Sequence, residues 1–116
     1  MVRESDGPSL GRRGEDAAAA WYLEQGYQIA ARNWSCRTGE IDLVCRRGRV
    51  LVICEVKTRS TDRFGSPFEA VTSAKRRRLR QLAALYLLEA APGTSVVRFD
   101  VAAVRDGCVE VLESAF

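Results

Sequence analysis

Gly39-Glu40-Ile41-Asp42-Leu43-Val44-Cys45-Arg46-Arg47, then Gly48-Arg49, then Val50-Leu51-Val52-Ile53-Cys54-Glu55-Val56-Lys57-Thr58 is the stretch that decides the fold. Residues 40–46 and 50–58 are rich in β-branched and aliphatic side chains and read as two strands. Glycine at the first central position of a two-residue connection suits a type II′ hairpin turn. With Gly48-Arg49 as that turn, Arg47 pairs with Val50, Asp42 falls opposite Glu55, and Glu40 falls opposite Lys57. Strand alternation puts Glu40, Asp42 and Val44 on one face, and Ile53, Glu55 and Lys57 on the facing positions. A loop with any even number of residues keeps these groups together.

Two or three carboxylates and a lysine therefore converge within cross-strand reach. Opposed carboxylates repel unless a cation lies between them. Mg²⁺ takes one or two carboxylates together with waters and phosphate oxygens, which suits phosphodiester hydrolysis. In that reading Asp42 and Glu55 hold Mg²⁺ with the backbone carbonyl of Val56, and Mn²⁺ is expected to substitute. The metal polarises the phosphate and lowers the pKa of a bound water. Lys57 orients the attacking water and offsets charge growing on the phosphate. The competing reading is a solvated strand face on which Glu40 and Lys57 form an ordinary cross-strand salt bridge.

Outward from the hairpin, residues 14–25 form a helical pattern with Ala17 to Ala20 at its centre and Gly26 as C-cap. Residues 1–10 read as a loose tail, 27–33 as a strand and 34–38 as a connection. On the other side, 60–67 read as a loop, and Thr72 or Ser73 caps a helix reaching about Ala90. Leu79, Leu82, Ala83, Tyr86 and Ala90 give that helix a buried face, and Pro92-Gly93 ends it. Residues 96–104 and 108–112 form a second hairpin around Arg105, Asp106 and Gly107. The order is α-β-β-β-α-β-β, an α/β fold in a single domain spanning 11–116.

Composition narrows the classes. The chain has 116 residues and a net charge of +3 from 18 basic and 15 acidic groups, a weak pull towards a polyanionic partner. Only Lys57 and Lys75 among the 18 basic residues are lysine, which suggests a task arginine cannot perform. Histidine is absent, and Cys36, Cys45, Cys54 and Cys108 form no CxxC pair, which excludes a Cys/His zinc site. Cys45 and Cys54 fall in apolar runs and read as small hydrophobes. No signal-peptide pattern opens the chain and no apolar run is long enough to span a membrane, so a reduced, cytoplasmic location is the default expectation.

Further residues extend the candidate site. Glu15 heads a helical row with Ala18, Ala19 and Tyr22; it is either an acid favoured by the helix dipole or one that reaches the metal or its water. Lys75, Arg76, Arg77 and Arg78 sit at a helix N-terminus, against the dipole, which points to a nucleic-acid backbone docking there; the alternative is a solvated basic face. Thr58, Arg59 and Arg63 flank the catalytic strand as candidate phosphate contacts. Phe64 and Phe68 either stack on a base or pack beneath their loop.

Gly39-Glu-Ile-Asp-Leu-Val44 followed by Glu55-Val-Lys-Thr-Arg59 resembles the YraN-like family of predicted endonucleases, which is similar to archaeal Holliday junction resolvases within the PD-(D/E)xK superfamily. The likeness extends to Gly14-Glu15, to Ala70-Val71 with Lys75, and to Arg98-Phe-Asp-Val101. It implies a restriction-endonuclease-like mixed central sheet flanked by helices. It also implies Asp42 as the first-motif acid, Glu55 and Lys57 as the ExK element, and Glu15 as the helical acid of resolvase-like members. Ile41 stands where the superfamily motif has proline. The expected function is a Mg²⁺-dependent endonuclease acting on DNA, with branched or junction DNA as candidate substrate and a two-fold homodimer as candidate assembly. The alternatives are a non-catalytic nucleic-acid-binding module using the basic patch over 75–80, and an assembly factor whose charged strand face is merely solvated.

Overall fold

The computed structural model describes residues 10–59, 66–90, 93–94 and 96–116. Residues 1–9 of the expected tail over 1–10 lie outside them, as do loop residues 60–65 with Arg63 and Phe64, and Pro92. The chain runs α1 (Leu10–Glu24), β1 (Gln28–Cys36), β2 (Gly39–Arg47), β3 (Val50–Thr58), a 3₁₀ turn (Pro67–Ala70), α2 (Ser73–Ala90), β4 (Val96–Arg105) and β5 (Cys108–Leu112). This is the expected order of helices and strands.

The five strands form one sheet in the order β1-β2-β3-β4-β5. Hairpins make neighbouring pairs antiparallel, except that α2 returns the chain so that β4 runs parallel to β3. A parallel pair needs a crossover of this kind, and the helix it contains must cover a face of the sheet. Ala18 and Tyr22 of α1 pack with Leu43, Cys45, Val52 and Cys54. Leu79, Leu82 and Tyr86 of α2 pack with Val44, Leu51, Ile53 and Phe99 on the other side. β3 therefore alternates between two cores, and each fully buried Leu or Ile contributes about 1.5–3 kcal/mol.

Several boundaries differ from the expectation. α1 begins at Leu10 rather than Gly14. β1 continues to Cys36, because Ser35 and Cys36 pair with Glu40 and Gly39 and leave only Arg37-Thr38 as the connection. Ala90 is exposed, since α2 has by then run past the sheet face that buries Leu79 to Tyr86. Arg105 belongs to β4 and pairs with Cys108, so the second turn is Asp106-Gly107, with φ 51 and 79. Two left-handed residues make a type I′ turn there. The first hairpin turn follows expectation: Arg47 pairs with Val50, and Gly48 has φ 60 while Arg49 is not in the positive-φ region.

One irregularity positions everything that follows. Ile41 and Leu43 are two residues apart yet face opposite cores, while Ala31 and Trp34 are three apart and face the same one. Both strands switch faces at the facing residues Asn33 and Asp42, and Asn33 takes the left-handed conformation with φ 52. Asparagine tolerates that conformation better than most residues.

Candidate active site

β3 is paired with β4 over its full length, from Val50 with Val96 to Thr58 with Val104. Its pairing with β2 runs only from Arg47 with Val50 to Leu43 with Cys54. Beyond Cys54 the β2 side of β3 is therefore a gap in the sheet. Asp42 enters it: its Oδ2 accepts a 2.9 Å hydrogen bond from the Val56 N–H, replacing the ladder carbonyl that the break removes. The N–H and C=O of one extended residue lie on the same edge, so the Val56 carbonyl faces this gap as well.

Glu55 borders the gap on the α2 side and is 3% exposed. Its Oε2 lies 3.6 Å from Nζ of Lys57, two residues along β3, and 3.2 Å from Nζ of Lys75, from the first turn of α2. The Lys75 backbone N–H in turn donates to Thr72 Oγ1 at 3.2 Å, so the expected helix cap also fixes this lysine. Both lysines of the chain thus converge on one buried carboxylate.

Asp42 and Glu55 are hydrogen-bonded carboxyl to carboxyl. Burial, then that hydrogen bond and the charge of Glu55, push the Asp42 carboxyl up to about 8, against the pull of the Val56 N–H. Glu55 for its part faces two ammonium groups, those of Lys57 and Lys75. Glu15 adds repulsion to Asp42 from α1. Its carboxylate accepts from Asn33 Nδ2 at 3.1 Å, and the neighbouring Asp16 pairs with Arg32 at 2.6 Å, so the start of α1 is tied to the strand break. Gly14 allows this docking, since a side chain there would collide with the hydroxyl of Thr58.

Glu40 is a correction. It is exposed, and the β2–β3 ladder ends before it, so it is not brought opposite Lys57, and it no longer shares the face of Val44. A single irregular residue inverts the face of every residue beyond it. The basic run also divides. Lys75 turns into the site. Arg76 bonds the Val71 carbonyl at 3.1 Å and stands over Phe116, and Arg80 stands over Phe99. Arg77 and Arg78 remain exposed. Thr58 packs against α1, and Arg59 lines a cleft of about 250 Å³ with Arg13, Gly14, Val104, Asp106 and Gly107. Phe68 is half-buried in the 3₁₀ turn, whose start Ser66 caps. Sequence reading placed Lys75 only in the outer patch; the scarcity of lysine was the signal that could have paired it with Lys57. Asn33 carried no comparable signal.

Among the described residues, no group of three or more His, Cys, Asp or Glu side chains is arranged to enclose an ion. The donors at the gap are two carboxylates in contact and one backbone carbonyl. That set fits Mg²⁺ or Mn²⁺, which keep several waters and need few protein oxygens.

A family model described as uncharacterised protein family UPF0102 matches residues 14–104, from Gly14 through the end of the β3–β4 pairing. A UPF0102 protein of Frankia casuarinae is 54% identical over 80% of this chain and 79% of its own length. One from Acidothermus cellulolyticus is 46% identical over 93% of each chain, and one from Clavibacter michiganensis is 48% identical over 99% of each. With a match that covers both strands of the site and both helices that supply its charged residues, the chain belongs to the UPF0102 family, the YraN-like family its motifs resemble.

Proposed function

We propose that the protein is a metal-dependent endonuclease of the PD-(D/E)xK kind that hydrolyses phosphodiester bonds in DNA, with branched or junction DNA as its candidate substrate. The observation that carries this reading is the Asp42–Glu55 pair. Two carboxylates share a buried site where one must hold a proton or both must hold a cation, and two lysines stand beside them. Two carboxylates facing each other repel, so the pair by itself does not favour the fold and calls for a cation or a proton.

Each residue has a definite task. Asp42, Glu55 and the Val56 carbonyl provide the oxygens for Mg²⁺ or Mn²⁺. An ion held by these oxygens would supply the positive charge that polarises a phosphate and acidifies a water. Lys57, whose side chain is 29% exposed, orients the attacking water and stabilises charge on the phosphate. Glu15, held by Asn33, sets the charge on the α1 side of Asp42. The exposed Arg77 and Arg78 supply phosphate contacts beside the site.

Incubation with junction, flap, single-stranded and duplex DNA in Mg²⁺ or Mn²⁺ tests the reading. Cleavage of at least one substrate is expected. Asp42→Ala, Glu55→Ala or Lys57→Ala should lower its rate by about 10³-fold or more while circular dichroism stays native. An Asp42→Ala protein that cleaves as fast as the parent excludes this chemistry. Salt-sensitive DNA binding that needs no metal and survives Glu55→Ala, with no cleavage of any substrate, favours the binding-module reading instead.

A further inference from the structure

Lys75 stands out from the basic run around it. Its ammonium lies closer to Glu55 Oε2 than that of Lys57 does, at 3.2 against 3.6 Å. The two ends of the pair differ in exposure: the Glu55 side chain is 4% exposed and that of Lys75 is 39% exposed. Lys75 therefore spans from a buried carboxylate to the surface, where Arg77 and Arg78 are exposed on the same turn of α2.

Both lysines bind the same oxygen of the carboxylate that the nuclease reading assigns to the metal, and the inference rests on that reading. A divalent ion on Glu55 repels both ammonium groups at a distance of a few ångströms, where burial makes charge interactions strong. Lys57 lies within β3, paired with Ala103 of β4 at its own position. Lys75 has a flexible four-carbon stem in a side chain that is 39% exposed, and its backbone is capped by Thr72, so its side chain can leave without disturbing the helix. A cation in the first turn of a helix is disfavoured by the dipole once its carboxylate is lost, but favoured again beside a phosphate.

We propose that Lys75 is the resident counter-cation of Glu55, and that when a divalent ion takes that carboxylate Lys75 is released onto a backbone phosphate of the bound nucleic acid. Metal and nucleic acid then bind with positive coupling through one side chain, and each raises the affinity for the other by the same factor. The metal-free protein holds its lysine inward and meets DNA with Arg77 and Arg78 alone on that turn.

Lys75→Gln tests this with two measurements that do not depend on catalysis. In calorimetric titration without DNA, Lys75→Gln should bind Mn²⁺ roughly fivefold more tightly than the parent, because no resident cation competes. In fluorescence anisotropy with a labelled four-way junction, the two proteins should bind equally without divalent ions. In Ca²⁺ the parent should bind roughly fivefold more tightly than Lys75→Gln. Lys75→Arg, which keeps the charge, should retain the metal-dependent gain, and it carries the test if Lys75→Gln fails to fold. Unchanged or weaker Mn²⁺ binding by Lys75→Gln overturns the proposal. So does an equal loss of junction affinity with and without Ca²⁺, or loss of the gain in Lys75→Arg. A parent protein that binds no Mn²⁺ removes the nuclease reading and this inference together. A parent that binds Mn²⁺ and cleaves DNA, without the two differences, removes only the inference.

Discussion

Two carboxylates flank β3 from its two neighbouring strands and are treated in opposite ways. Asp100 on β4 pairs in register with Cys54, the residue before Glu55, and is 0% exposed. It accepts hydrogen bonds from the Tyr22 hydroxyl at 2.6 Å, from Nε and Nη2 of Arg98 at 2.9 Å each, and from the Ser114 N–H at 3.1 Å. The loss of water is answered by four hydrogen bonds, two of them from one bidentate cation. Tyr22 keeps its proton, because burial first, and then the Asp100 carboxylate beside it, push its phenol far up. Asp42 has one backbone N–H and, opposite it, a second carboxyl. Asp100 is complete and ties α1, β4 and the C-terminal residues together. The Asp42–Glu55 pair is complete only with a proton or a cation, and this demand for a partner is what the proposed reading rests on.

The largest expected effect breaks the complete site. Asp100→Asn removes the charge that compensates Arg98, whose side chain is 17% exposed, and turns an amide N–H towards its guanidinium. Leaving a buried ion without its partner costs about 3–5 kcal/mol, to be read as a lower urea midpoint with an unchanged slope. A loss below about 1 kcal/mol would mean that Arg98 simply turns to solvent and Glu113, and that the network is not what fastens the C-terminal end.

The contrast also separates what was legible in the sequence from what was not. The two-residue turn at Gly48-Arg49 is a local consequence of turn chemistry and could be read directly, and so could the meeting of Asp42 with Glu55, although it takes place across the gap beyond the last ladder pair, Leu43 with Cys54. Glu40 could not, because the reversal at Asn33 and Asp42 depends on β1, a strand with no visible mark of irregularity. Lys75 and Glu55 meet only because α2 is the crossover between two parallel strands, a long-range fact. The run from Lys75 to Arg80 looks like one patch in sequence, but a helix fans its neighbours around the axis and sends them to three different surroundings.

A middle-sized effect sharpens the comparison through pH. The Asp42 carboxyl is raised from 3.8 to about 8 in the folded protein, so protonated Asp42 favours folding. That stability is fully present below the unfolded value and is lost as pH rises towards 8. Asparagine can accept from the Val56 N–H and donate to Glu55 without ever carrying charge. Asp42→Asn should therefore match the parent near pH 4 and exceed it by about 2 kcal/mol above pH 8, in chelator-treated samples. Mn²⁺ should close the difference at high pH by stabilising the parent alone. A difference that stays flat from pH 4 to 9 would show that the pair does not share a proton.

The smallest effect concerns how α1 is held against the gap. An interior helical glycine ordinarily costs about 1 kcal/mol relative to alanine, so Gly14→Ala should stabilise a free helix. Here the added methyl would overlap the Thr58 hydroxyl and press on its Cβ and Cγ2 at 3.0 and 3.1 Å. Rotating Thr58 or lifting the helix is required, and overpacking of this kind costs about 1–3 kcal/mol, leaving a net loss near 1 kcal/mol. Lifting α1 also moves Glu15 away from Asn33, so DNA cleavage should fall a few-fold more than stability alone explains. Thr58→Ala in the same chain should restore stability, because it removes the colliding hydroxyl and the methyl beside it. If Gly14→Ala instead raises the melting temperature by itself, α1 does not approach β3 this closely, and Glu15 loses its place beside Asp42.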